Sequence, residues 1–294
     1  MIKTARGFTL IEMAIVLVII TILIGGLAVP LSAQIQARRI AETRKTLNEA
    51  REAVMGYAMR TSIASTCNCT YLPNETLYPS APTTCAVPHC PTTSATSTLT
   101  LPVTRHYLPC PDSTGDGLED RNLLPPYQCA QPAGWLPWVD LGTASQDAWG
   151  NRLIYAVNQE DAGDPATKPS FADKTTGFSS STPLANPLQI CSTHTCPIPY
   201  NATTTPNPYV ASNVVFVVAS LGANGWGALN VNGNSLAAPT GADELENNDA
   251  DQAYVSRTHT PVGGTGGEFD DLVEWVSLTQ LTARLCSTGS GCSP

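Results

Sequence analysis

The sequence predicts an α+β protein: a long N-terminal membrane-spanning helix packed on a globular head with an antiparallel β-sheet, the head stabilised by disulfides. Three observations carry this reading. Residues 13–31 are apolar and uncharged, and residues 32–62 continue without proline, rich in Ala, Arg, Glu and Gln, so the two stretches read as one helix. Segments with the β-branched and aromatic content of strands come only later, and one helix followed by strands is the α+β order. All ten cysteines lie between Cys67 and Cys292, the usage of an oxidising compartment.

The nineteen uncharged residues 13–31 would make about 28 Å of helix, which matches the hydrocarbon core of a bilayer. Glu12 stands at the edge of this run. An ionised carboxylate in a membrane helix costs about 2.5–3.5 kcal/mol at the helix centre and less toward the interface, so Glu12 needs a partner. Gly7-Phe8-Thr9-Leu10-Ile11-Glu12 resembles the class III signal of type IV pilins and type II secretion pseudopilins. That resemblance implies that prepilin peptidase removes residues 1–7, cutting after Gly7, and methylates the new amine of Phe8. A cationic amine four residues before Glu12 could then neutralise the Glu12 of a neighbouring subunit, a buried pair that sets register more than it adds stability.

Residues 8–31 are thus expected to form a transmembrane and assembly helix and 32–62 its amphipathic continuation. Ile40, Leu47 and Val54 recur every seven residues, with Ala50 and Tyr57 three further along, a narrow stripe for packing on the head. Gly25-Gly26 and Pro30 read as a hinge, because a proline inside a helix costs about 3 kcal/mol unless the site bends. Residues 63–140 form a Cys-, Thr- and Pro-rich insertion with no sustained apolar period, and 141–294 the pilin-like β head. Within the head, 152–157 and 213–219 read as strands, 226–231 and 252–256 as weaker ones, 270–277 as a strand or short helix, and 278–285 as a closing helix. Trp135, Trp138, Trp149, Trp226 and Trp275 read as core and sheet-packing residues.

The head carries a second resemblance. Asp147-Ala-Trp-Gly-Asn151, followed by Arg-Leu-Ile-Tyr-Ala-Val, is similar to the Asp-Pro-Trp-Gly-Asn stretch of the major pseudopilin head. Ser220-Leu-Gly-Ala-Asn-Gly225 is similar to the Ser-Gly-Ala-Asp-Gly stretch that opens that family's calcium loop, with Asn224 standing where the family has Asp. Two acidic loops are candidates for calcium, a hard cation that takes oxygen ligands. In the first, Asp112, Thr114, Asp116 and Asp120 fall at positions one, three, five and nine of a calcium loop, but position twelve is Leu123, which rejects a full EF-hand. The second gathers Asp243, Glu244, Glu246, Asp249 and Asp251, with Asp270 and Asp271 further on.

Cys85 with Cys90, Cys110 with Cys129, Cys191 with Cys196, and Cys286 with Cys292 are neighbours able to close local loops, leaving Cys67 and Cys69 over, so connectivity stays open. No paired Cys-x-x-Cys or His spacing supports zinc. Residues 1–62 carry eight Lys and Arg against four Glu (net +4), and residues 63–294 seven against twenty Asp and Glu (net −13). Such an acidic head repels phosphates and argues against a nucleic-acid partner. No nucleophile elbow, Walker loop, dinucleotide fingerprint or zinc-protease motif is present, so no enzymatic activity is expected. Gly263-Gly-Thr-Gly-Gly267 reads as a flexible turn.

Counting positive charges would keep the head in the cytoplasm, since Arg38, Arg39, Arg44, Lys45 and Arg51 follow the apolar run. Cysteine usage and the resemblance override that count. The expectation is a single-pass inner-membrane subunit with a periplasmic head, drawn into a type II secretion pseudopilus or type IV pilus. Its expected partners are prepilin peptidase, other pilin or pseudopilin subunits, and the inner-membrane assembly platform with its ATPase. The competing expectation is a membrane-tethered binding module or tip adhesin acting through the Cys-rich insertion.

Overall fold

The computed structural model describes residues 9–60, 63–69, 99–122, 128–158, 171–172, 178, 187–198, 200–201, 203–264 and 266–286, with backbone alone at 24–31, 63–69 and 99–105. Helix α1 (Leu10–Arg60) runs unbroken for 51 residues, through Gly25-Gly26 and Pro30. Its C-terminal half packs on the head. Leu47, Ala50, Val54 and Ala58, spaced by three or four, are fully buried, as is Thr43 one turn earlier. Ile40, the first residue of the expected stripe, is half-buried.

Strands β1 (Ile63–Cys69) and β2 (Leu99–Arg105) form a separate antiparallel pair within the stretch read as an insertion. The main sheet contains β3 (Ala133–Trp135), β4 (Ile154–Val157), β5 (Leu188–Cys191), β6 (Tyr209–Ser220), β7 (Ala253–Val255) and β8 (Leu272–Ser277). Helices α2 (Trp138–Leu141), α3 (Ala242–Glu246) and α4 (Leu278–Cys286) complete the elements. Strand β6 is the spine, and its residues 214–220 are all buried, as a strand covered on both faces requires. Val214 pairs with both Leu188 and Ser277, so β8 lies on one edge of β6 while β5 and β4 share the other.

Alternation divides the core between the two faces of the sheet. Leu153, Tyr155 and Val157 pack toward α1 and α4, with Leu281 and Leu285, whereas Ile154 and Ala156 join Leu188, Ile190 and Tyr254 on the other face. Val215 and Phe216 both point toward α1 because the β6–β8 register shifts between Val214 and Phe216, a bulge that turns two successive side chains to one side. Arg51 with Glu274 at 3.5 Å and Arg284 with Glu52 at 2.7 Å rim the helix–sheet contact.

Several expectations are corrected. The sheet is mixed, because β5 and β7 pair in parallel; 61 residues, including β6, separate their ends and supply the long crossover that a parallel pair needs. Residues 226–231 are not a strand but part of a tight turn region, where Gly225 and Gly227 adopt positive φ and Asn230 closes a turn on Asn234. Strand β3 belongs to the main sheet although it lies inside the 63–140 stretch. None of the five tryptophans is fully buried; Trp135 and Trp275 pack at the margin of the outer core, and the largest fully buried side chains are Tyr155, Tyr254 and four phenylalanines.

Cys110–Cys129 and Cys191–Cys196 are disulfides, as the neighbour scheme proposed. Cys85, Cys90 and Cys292 lie outside the described residues, as does any partner they offer Cys286. Among the described residues no helix is long and apolar enough to cross a membrane. The expected 13–31 run is helical, but the side chains of 24–31 lie outside the description, and the eleven described residues 13–23 make only about 16 Å of helix.

Candidate functional site

The N-terminus of α1 is closed by a reciprocal cap. Thr9 is the residue before the helix; its N–H and its hydroxyl both donate to Glu12 Oε2 at 2.8 Å, and Glu12 N–H donates back to Thr9 Oγ1 at 3.4 Å. This is the Thr-x-x-Glu capping box, in which two otherwise unpaired amides at the helix start find acceptors. Glu12 Oε1 accepts no hydrogen bond among the described residues, so half of the carboxylate is left for another donor. Beyond the cap the helix surface is bare: Leu10 is 89% exposed, Ile11 68% and Ile22 68%. Gly7, Phe8 and the side chain of Pro30 lie outside the described residues.

The first acidic loop folds onto itself. Buried Asp112 accepts through Oδ1 from the amides of Thr114 and Gly115 and through Oδ2 from the amide of Gly117 at 2.7 Å. Asp120 Oδ2 accepts from Ser113 N–H, Ser113 Oγ and Thr114 N–H, and Asp116 Oδ1 from Leu118 N–H. Gly117 sits at φ +91°, and a Cβ there would strike the Trp138 ring. These oxygens face amide dipoles that stabilise anions, and the Asp112, Asp116 and Asp120 carboxylates do not converge on a shared centre.

The second acidic run is split three ways. Asp243 turns to Arg257 Nε at 2.7 Å and to His194, whose N–H and Nδ1 lie 2.9 and 2.8 Å away. Burial pushes the Asp243 carboxyl up, but the His194 bonds and the Arg257 charge outweigh it and hold the pKa below the ordinary value. The same Arg257 donates to the carbonyls of Gly266 and Gly267 and stacks on Phe269, so it pins the glycine-rich turn. Glu246, Asp249 and Asp251 form a second group, where burial and the two neighbouring carboxylates raise Glu246 to about 7.

Glu244 instead meets Asp270 and Asp271, the one group of three acids among the described residues whose oxygens lie within 4.8 Å of one another. Glu244 Oε1 accepts from Asn224 Nδ2 at 2.9 Å and from Asp270 N–H at 3.2 Å. Asp270 Oδ2 accepts from Asn224 N–H, while its Oδ1 is buried with no hydrogen-bond partner. A Cβ on Gly222 would stand 1.9 Å from that Oδ1, so glycine at φ +63° is what lets the carboxylate approach the Ser220–Asn224 turn. Asp271 accepts from Asn247 Nδ2, and Asn247 also exchanges two bonds with the backbone of Val255 in β7. Burial raises all three carboxyls first; the Asp270 charge then adds to Glu244, the Glu268 charge to Asp270, and the Glu244 and Asp270 charges to Asp271.

The Asp147-Ala-Trp-Gly-Asn151 motif is a fold device that locks three elements together. Asp147 is buried; its Oδ1 accepts from the amides of Trp149 and Asn151, and its Oδ2 from Ser220 Oγ at 2.7 Å, which ties the turn to the end of β6. The Ala148 amide donates to Thr43 Oγ1 on α1. Sequence reasoning treated Ser220 and Asp147 as separate resemblances; the structure bonds one to the other.

Residues 2–28 match the family model described as the prokaryotic N-terminal methylation motif. No curated protein and no solved structure matches the chain. The matched segment contains both the Gly7-Phe8 junction and the Thr9–Glu12 cap, and the chain therefore carries the prepilin-type N-terminal signal of type IV pilins and pseudopilins.

Proposed function

We propose that this protein is a structural subunit of a type II secretion pseudopilus or type IV pilus, held in the inner membrane by residues 13–31 with its head in the periplasm. The observation that carries this reading is the bare apolar half of α1 ending in the half-satisfied carboxylate of Glu12. Prepilin peptidase would cut between Gly7 and Phe8, leaving an N-methylated amine that pairs with Glu12 Oε1 of a neighbouring subunit. The assembly platform and its ATPase would supply the work of extraction. The Asp147 motif and the Ser220 turn lean toward a pseudopilin, and the disulfide-bearing insertion toward a minor or tip position.

Glu12→Val tests this assignment. Membrane insertion should persist or improve, because a costly carboxylate is gone, while recovery of the subunit in sheared filaments should fall. Filament recovery at the unsubstituted level would remove Glu12 from assembly.

We further propose that Glu244, Asp270 and Asp271 hold calcium, as the buried unpaired Asp270 Oδ1 and the mutual repulsion of three carboxyls favour a hard divalent cation. Calcium would supply charge neutralisation where the Ser220–Asn224 turn meets β8. A ligand bound only by the folded state stabilises it by mass action, about 2.7 kcal/mol at a hundredfold excess over Kd. The head should therefore melt higher in millimolar calcium than in chelator, and Asp270→Asn should erase the difference. Equal melting temperatures in the two buffers would remove the metal.

A further inference from the structure

Where α1 leaves the head it carries a bare cationic collar. Arg38, Arg39 and Arg44 are exposed and have no ion pair or side-chain hydrogen bond among the described residues. The next cations along the helix do have partners: Lys45 pairs with Glu49 at 3.6 Å, and Arg51 with Glu52 and Glu274. Ile35, 45% exposed, lies within one turn of Arg38 and Arg39 on the same side, and Glu42 is the one acid in the collar.

The head carries the complement. Glu246 at the end of α3 and Asp249 and Asp251 just beyond it crowd together with no cation at ion-pair distance among the described residues, and Leu245 beside them is 49% exposed. Arg257, which follows β7, is spent on Asp243 and the glycine-rich turn. The two surfaces do not meet within one chain, since α1 packs on one face of the sheet while Asn247, Asn248 and Ala250 line a cavity with Ile154 and Tyr254 of the other.

We propose that these surfaces are the two halves of a contact between copies: the Ile35, Arg38 and Arg39 side of one chain docks on Leu245, Glu246, Asp249 and Asp251 of a second. Charge points to a second copy as the occupant, because the chain is divided into a basic N-terminal part and an acidic head, and neither half of the contact has an opposite charge at ion-pair distance among the described residues. Opposed patches of this kind fix register and exclude wrong partners more than they add affinity, since like charges brought together cost several kcal/mol. The contact rests on the subunit reading and names the surface by which one subunit recognises the next.

A charge swap in the full-length chain tests it. Arg38→Glu with Arg39→Glu should lower filament recovery on the order of tenfold, the factor that about 1.4 kcal/mol represents. Asp249→Arg with Asp251→Arg should do the same. All four substitutions together should restore recovery to within about twofold, because opposite charges again face one another. Restoration also shows that the variants fold. Recovery unchanged in the paired variants, or a loss that the fourfold variant leaves in place, overturns the contact. If Glu12→Val lowers recovery while the charge variants do not, the contact fails and the subunit reading stands. If the unsubstituted chain stays in the membrane and never enters filaments, both fail.

Discussion

Between residues 10 and 41 helix α1 buries none of its described side chains, whereas between residues 43 and 58 it buries seven. The same helix therefore lives in two environments. In the second half, charged residues rim the contact and form ion pairs with the head, and the apolar stripe widens from Leu47 and Ala50 to Val54, Met55, Tyr57 and Ala58. In the first half, the described residues 10–23 expose apolar side chains around the helix with Glu12 as their one charge, a larger bare apolar surface than a water-facing helix carries. The lesson is that the described side chains of residues 10–41 add nothing buried to the head, and on the proposed function their cover would come from lipid or from other subunits.

The largest expected effect comes from cutting equivalent leucines in the two halves. Leu47→Ala should cost about 2–5 kcal/mol of head stability, because a fully buried side chain leaves a cavity between α1 and the sheet. Leu17→Ala should change the melting temperature of the head little, since Leu17 is 61% exposed and touches no part of it. Thermal unfolding of both variants in detergent checks the pair. A comparable drop from Leu17→Ala would break the division of the helix into a packed half and a bare half.

A smaller effect sharpens the same comparison from the side of the head. Glu246, raised from 4.5 to about 7, holds a proton in the folded state that the unfolded chain releases. Its stabilising contribution is thus present below about pH 4.5 and lost as pH rises through about 7. Glu244, Asp249, Asp270 and Asp271 are also raised and act in the same sense, whereas the lowered Asp120 and Asp243 matter only below the ordinary carboxylate range. In chelator the melting temperature should fall between pH 5 and 8, and Glu246→Gln should flatten part of the fall. A rising profile over that window would contradict the burial of these acids.

Much of the scaffold was legible. Strands β4 and β6 sit where β-branched content put them, 270–277, left open between strand and short helix, contains strand β8, α4 falls on the expected closing helix, and the Leu47–Val54 stripe lies on the buried face. Strands β3 and β5 escaped because three and four residues are too few for a period, and because β3 contains Gly134, packed against the Asp112 carbonyl, in place of a large side chain. The acidic cluster was misgrouped for a geometric reason. Asp243 and Glu244 are adjacent, yet the short helix α3 points one at Arg257 and the other at Asp270, 26 residues on. The Asp112 loop matched a metal-loop spacing, but the same spacing suits a carboxylate that gathers the amides of its own turn. At the N-terminus the Thr-x-x-Glu spacing is the signal of the helix cap, and it was passed over because the same residues lie in the cleavage motif.

The central claim, that the bare half of α1 is a processed assembly helix, is tested most directly by mass spectrometry of the N-terminal peptide of the protein taken from its native membrane. The account predicts a chain that begins at N-methylated Phe8. A chain that retains residues 1–7 would contradict it, and the helix would then be a permanent anchor for a binding head.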